Sequence, residues 1–152
     1  MGFRQQVKVR FSDTDPAGVM YFPRFLDTFH GVFEDWFDDD LKMPYRWMLE
    51  DTRVGFPTVS VNVDYRAPFR FGETMEVELV VSAINEKSFA CTYNARLLGS
   101  DRVMVRATMT VATVDLDAFK GIPIPAKLRQ ALEQRLESPV RDAAAARKQA
   151  GT

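Results

Sequence analysis

The stretch from Pro23 to Phe37 constrains this chain more than any other. At ~100° per residue, Phe25, Leu26, Phe29, Val32, Phe33, Trp36 and Phe37 fall within an arc of about 140°, with Asp27, Gly31, Glu34 and Asp35 outside it. The period predicts a helix over about 23–37, opened by Pro23, whose missing N–H costs nothing at the first helical position. So large an aromatic face needs a correspondingly large surface to cover it.

The rest of the chain offers that surface as strands. Residues 3–11 alternate, with Phe3, Val7, Val9 and Phe11 opposite Arg4, Gln6, Lys8 and Arg10, which predicts a half-buried strand. Four later segments repeat the pattern: Val59 to Tyr65, Met75 to Val81, Phe89 to Leu97 and Val103 to Val111. Each is expected to turn one face towards a core. The connectors Asn85-Glu86-Lys87 and Gly99-Ser100-Asp101 are short, so the last three strands should form an antiparallel meander. Leu128, Leu132 and Leu136 predict a short helix over 126–136 on the rim. The resulting fold class is α+β, one sheet curled around one helix. Residues 1–137 are expected to form the domain and 138–152, rich in alanine and charge, a frayed tail.

Composition narrows the function. With 152 residues, 46% hydrophobic and 27% charged, this is an ordinary soluble globular chain and most simply one domain. A formal net charge of −1 gives no global case for nucleic acid. No apolar run is long enough for a membrane span, and the N-terminus lacks a signal-peptide apolar region. One cysteine, Cys91, is expected to be packing, and it fits a reducing cytoplasm. One histidine and one cysteine exclude a conventional multi-histidine or multi-cysteine zinc site. There is no phosphate-binding Gly-rich loop with P-loop or dinucleotide spacing and no Gly-x-Ser-x-Gly elbow. The expected metal and cofactor content is none.

What remains is carboxylate chemistry, and Ser12 to Pro23 is where it concentrates. Pro16 pushes Asp15 towards extended backbone, and Gly18 permits positive φ. An acid near unpaired N–H groups at a helix start can attack, or activate water against, a carbonyl whose oxygen those groups stabilise. A thioester suits this equipment, because a thiolate leaves with little acid assistance. The plain alternative is that Asp13 and Asp15 only make turn hydrogen bonds.

Asp13-Thr14-Asp15-Pro16-Ala17-Gly18-Val19-Met20-Tyr21-Phe22-Pro23, followed by an aromatic helix through Glu34-Asp35-Trp36-Phe37, resembles the hotdog-fold acyl-CoA thioesterases of the 4-hydroxybenzoyl-CoA thioesterase family. The likeness runs over roughly residues 5–125, through Val54-Gly55-Phe56-Pro57, Tyr65-Arg66-Ala67-Pro68 and Glu86-Lys87-Ser88-Phe89. It implies an antiparallel five-stranded sheet wrapped around one long helix, and hydrolysis of an acyl-CoA to acid and coenzyme A, which is substrate rather than cofactor. It also implies a homodimer or homotetramer with sites between protomers. By the same resemblance Asp15 is the catalytic carboxylate and Phe22 supplies the carbonyl-polarising backbone N–H. Tyr21 and His30 face the substrate, and Lys87 and Ser88 meet the nucleotide end of coenzyme A. Arg66 and Arg70 are further phosphate candidates. His30 stands where the 4-hydroxybenzoyl enzymes have an aspartate that binds the phenol, so the likeness leans to the 1,4-dihydroxy-2-naphthoyl-CoA and benzoyl-CoA branches. The alternatives are a fatty or short-chain acyl-CoA thioesterase, or a hotdog protein that binds acyl-CoA or an acyl carrier without cleaving it.

Overall fold

In the computed structural model, which describes residues 2–137, the aromatic helix forms as α1, Pro23–Asp39. Its buried residues are Phe25, Phe29, Val32, Phe33, Trp36 and Phe37, with Leu26 at the margin. Pro23 opens it as expected. It runs two residues past Phe37 because the acidic run has partners. The Asp38 carboxylate accepts the Tyr45 N–H at 2.8 Å at the start of a short helix, α2 (Tyr45–Glu50), that the sequence reading missed. The Asp40 Oδ2 accepts Trp36 Nε1–H at 3.1 Å and Arg135 Nε–H at 2.8 Å. By sequence alone Asp38-Asp39-Asp40 is expected to be a solvated loop past the helix, and these partners correct that expectation.

The covering surface is one antiparallel sheet built from β1 (Phe3–Lys8), β3 (Thr58–Tyr65), β4 (Thr74–Ile84), β5 (Ser88–Leu97) and β6 (Val103–Ala112). Their order is β1-β4-β5-β6-β3, so the predicted meander forms its centre. Register irregularities at Val81/Ala83 and Ala95/Arg96 are the kind that bend strands, and the sheet closes on α1. Phe29 stacks on Tyr93 at 5.1 Å and Phe33 lies over Phe89 at 6.2 Å, so α1 runs antiparallel to β5. The outer face is polar where it is tightest: the Glu78 Oε1 accepts Asn94 Nδ2–H and Arg96 Nη1–H, and Asn94 Oδ1 accepts Arg106 Nε–H at 2.7 Å. A second small sheet of β2 (Val54–Gly55), β7 (Val114–Asp115) and β8 (Lys120–Gly121) closes the far end, and α3 (Ala126–Glu133) seals the rim. Two-residue strands carry no periodicity, which is why none was legible.

Three expectations are corrected. β1 stops at Lys8, because Val9 pairs with the 70–73 turn instead: Val9 N–H reaches Glu73 O at 2.8 Å and Gly72 N–H reaches Val9 O at 3.0 Å. Phe11 is therefore exposed rather than inward. The last helix ends at Glu133, and Leu136 leaves it to bridge Val81. Val59 and Val61 of β3 are exposed: β3 is an edge strand, and a register shift between Thr58 and Ser60 takes Val59 out of the alternation. The predicted tail, 138–152, lies outside the described residues. Among the described residues no helix is long and apolar enough to cross a membrane.

Candidate active site

The polar stretch before α1 folds as a tight hairpin. Asp15 N–H reaches Val19 O at 3.0 Å, Gly18 N–H returns to Asp15 O at 2.9 Å, and Gly18 has φ +79°, as its position predicted. Thr14 lies opposite Met20, and Tyr21 N–H reaches Asp13 O at 2.8 Å. A third strand joins where Val19 lies opposite Arg70 and Met20 N–H meets Phe69 O at 2.8 Å. Strand alternation then sorts this ribbon into two faces. Thr14, Met20 and Phe69 share the inner one, where Met20 and Phe69 are buried. Asp13, Asp15, Val19, Tyr21 and Arg70 share the outer one.

The Asp15 carboxylate is half-buried and split in use. Oδ1 accepts the Ala17 N–H at 2.9 Å, an Asx turn that fixes the side chain. Among the described residues no hydrogen bond or ion pair engages Oδ2. Asp13, which accepts the Arg10 N–H at 2.9 Å, and Asp15 thus both make the turn hydrogen bonds of the plain alternative. A few residues on, Phe22 caps α1 with φ −55° and ψ −37°. Its N–H meets no acceptor among the described residues, while its carbonyl accepts the Tyr65 hydroxyl at 3.1 Å. An unengaged N–H at the positive end of a 17-residue helix is suited to a developing oxyanion. Tyr65 was legible only as the last residue of an alternating strand, and its hydroxyl contact was not.

Phe22 also lines a cleft of about 300 Å³ with Met20, Phe25, Tyr65, Arg66 and Pro68. Asp15 is not among its walls. Tyr21 is exposed beside Phe22, their rings 5.3 Å apart.

The structure does not gather the remaining candidates here. His30 lies eight residues along α1 from Phe22, about 12 Å at 1.5 Å per residue. Its Nδ1 is 3.3 Å from Glu34 Oε2, and its ring lies 6.1 Å from that of Tyr45. Burial, and then the Glu34 carboxylate, push the Tyr45 hydroxyl up from its ordinary value. Tyr45 and Glu34 were not picked out from the sequence as partners of His30; the i, i+4 spacing of His30 and Glu34 was the available signal. Lys87 sits in the β4–β5 turn and Ser88 opens β5; Ser88 Oγ accepts Asn85 Nδ2–H at 3.2 Å and Lys87 O accepts Thr113 N–H at 2.9 Å. The Asp15 hairpin is at the opposite end of β4, roughly 33 Å away at 3.3 Å per residue. Cys91 is buried as expected, and burial pushes its thiol well up.

One antiparallel sheet wrapped around one long helix is the architecture of the hotdog-fold thioesterases. Residues 9–132 match the thioesterase-like superfamily, and the chain belongs to it. It is 27% identical over 123 residues to a 1,4-dihydroxy-2-naphthoyl-CoA hydrolase of Synechocystis sp., covering 81% of this chain and 88% of that one. It is 28% identical over 130 residues to the acyl-CoA thioesterase YbgC of Haemophilus influenzae, covering 86% and 93%. The crystal structure of a 1,4-dihydroxy-2-naphthoyl-CoA thioesterase from Synechocystis superposes with TM-score 0.79 at 26% identity, covering 87% of this chain and 96% of that one. The chain is a thioester hydrolase of the hotdog fold.

Proposed function

We propose that this protein hydrolyses an aromatic acyl-CoA with Asp15 as the catalytic carboxylate and the Phe22 backbone N–H as oxyanion donor. The observation that carries this is the Asp15 side chain, fixed through Oδ1 with Oδ2 unengaged, on a hairpin that runs straight into the start of α1. Asp15 either attacks the thioester carbon, expelling the thiolate and leaving a mixed anhydride for water to cleave, or takes a proton from the attacking water. Both routes place negative charge on the carbonyl oxygen, where the Phe22 dipole offsets it. The thiolate leaves without a general acid, so neither metal nor cofactor enters the reaction, and coenzyme A is product.

The aromatic acyl group is supported by the relatives named above and by His30, held among Phe33, Tyr45 and Glu34, as a hydrogen-bonding group for an acyl oxygen. Tyr21 stands on the Asp15 face as a second substrate contact. The working unit is a homodimer or homotetramer in the cytoplasm. Its support is the uncovered apolar face of the β3 edge and the distance of Lys87 and Ser88 from Asp15, which suits contributions from different copies. Lys87 in that arrangement meets a phosphate as a point charge.

Asp15→Asn tests the reading. With benzoyl-, dihydroxynaphthoyl- and straight-chain CoA thioesters, it should lower kcat about 10³-fold on every substrate cleaved while the melting temperature holds. Undiminished turnover removes Asp15 from the mechanism. A kcat/KM order favouring straight chains removes the aromatic assignment, and light scattering that shows a monomer removes the composite site.

A further inference from the structure

The Tyr65 hydroxyl reaches the start of α1 from the edge of the sheet, and the mechanism above gives it no task. The three helices begin differently. At α2 the Pro44 carbonyl accepts the Met48 N–H at 3.0 Å, and at α3 the Pro125 carbonyl accepts the Arg129 N–H at 2.9 Å, the ordinary i+4 bond of a first helical turn. At α1 the Phe22 carbonyl accepts the Phe25 N–H at 3.3 Å, a longer i+3 bond, together with the Tyr65 hydroxyl at 3.1 Å. On the other side of Phe22, the Tyr21 carbonyl accepts the Arg24 N–H at 2.9 Å and the Tyr21 N–H reaches Asp13 O at 2.8 Å. Those bonds join near neighbours in the chain. The Tyr65 bond spans 43 residues and ties the turn to the sheet.

Tyr65 is itself firmly held. It lies opposite Val105 of β6, and the next two N–H groups, of Arg66 and Ala67, reach Met104 O at 2.8 and 3.1 Å. Its ring meets the buried Phe25 ring edge to face at 5.6 Å and the Phe22 ring at 6.2 Å. Burial pushes its hydroxyl up from the ordinary value, so it stays an O–H donor at neutral pH.

We infer that Tyr65 is a positioning residue for the oxyanion donor, its hydroxyl fixing Phe22 from the carbonyl side so that the Phe22 N–H keeps its direction. This rests on the reading of that N–H as donor and adds β3 to the machinery that serves it. A donor stabilises developing charge best when it is oriented before the charge appears. The Phe22 N–H and the Tyr21 carbonyl share one rigid peptide plane. Swinging that N–H pulls the Tyr21 carbonyl off Arg24, and the accompanying change in φ carries the Phe22 carbonyl off Tyr65. The hydroxyl touches no reacting atom in this arrangement; it acts only through Phe22.

Tyr65→Phe deletes the hydroxyl and keeps the ring. With a benzoyl- or dihydroxynaphthoyl-CoA substrate it should lower kcat about tenfold, with KM within about twofold and the melting temperature nearly held. The double variant separates positioning from a general structural effect. Phe22→Pro has no N–H to orient, so adding Tyr65→Phe to it should cost no further kcat. Independently of turnover, phenacyl-CoA, an uncleavable ketone analogue, should bind Tyr65→Phe about threefold or more less tightly than the wild type. Benzyl-CoA, which has no carbonyl, should bind both alike. Wild-type kcat in Tyr65→Phe overturns the inference, as does an equal fold-loss with and without the Phe22 N–H. A raised KM at unchanged kcat places the hydroxyl on the substrate and also overturns it, as does equal phenacyl-CoA affinity in both chains. Wild-type kcat in Phe22→Pro alone removes the donor reading itself, and the role of Tyr65 with it.

Discussion

The two ends of α1 are built on opposite principles. At its C-terminal half Phe33, Trp36 and Phe37 are buried among Tyr45, Phe56 and Phe89, with ring centroids 5.1 to 6.3 Å apart. The Asp40 carboxylate there is held by Trp36 and Arg135, and Arg135 Nη2–H also donates to the Asp40 carbonyl at 3.1 Å. At the N-terminal end Phe22 and Tyr65 are exposed, the Phe22 N–H and one Asp15 oxygen lack partners among the described residues, and Arg70 carries no counter-ion. Satisfied groups and filled volume stabilise a fold; unsatisfied groups at a surface are what a ligand can bind. One helix carries both, separated by about three turns.

That division can be broken by moving the damage from end to end. Phe33→Ala should destabilise the protein by about 3 to 5 kcal/mol in denaturant unfolding, from the cavity it leaves; a loss under ~1 kcal/mol would deny the C-terminal half its role. Phe22→Pro should do the reverse. Proline accepts the φ of −55° but lacks the N–H, so kcat should drop about 10²-fold with little change in melting temperature. Arg135→Ala should cost only about 1 kcal/mol of stability, since both partners of its ion pair are partly exposed, and kcat should hold. The smallest effect is the sharpest on pH. Burial holds the Cys91 thiol neutral well above its unfolded value, so its contribution is fully present below about pH 8.5 and declines as pH rises, because only the unfolded thiol then ionises. A Cys91→Ala variant should show a flatter decline in stability above that pH, and native Cys91 should resist alkylation until the protein unfolds.

The legible parts were those written in short-range repetition. The 3.6-residue period of Phe25 to Phe37 and the twofold alternation of the strands place α1 and the sheet within a few residues of where they form. Asp15 was singled out from Pro16, Gly18 and Pro23, each of which acts on its own or the adjacent residue's backbone. The failures share one cause. Phe11 continues the alternation of β1, yet the chain turns away because Val9 finds a better partner in the 70–73 turn. Asp38 and Asp40 read as solvated until Tyr45 and Arg135 arrive from elsewhere in the chain. Val59 and Val61 read as core because alternation reveals that a face is apolar but not whether anything covers it.

By itself, then, the sequence determined the amphipathic helix, the five strands and a carboxylate poised before a helix start, because dihedral preference and hydrophobic period are local properties. Tertiary structure alone decided that the Tyr65 hydroxyl reaches the Phe22 carbonyl while Lys87 lies at the other end of β4 from Asp15. The partners of that bond are 43 residues apart in the chain, and only the packing of the sheet edge against α1 brings them together.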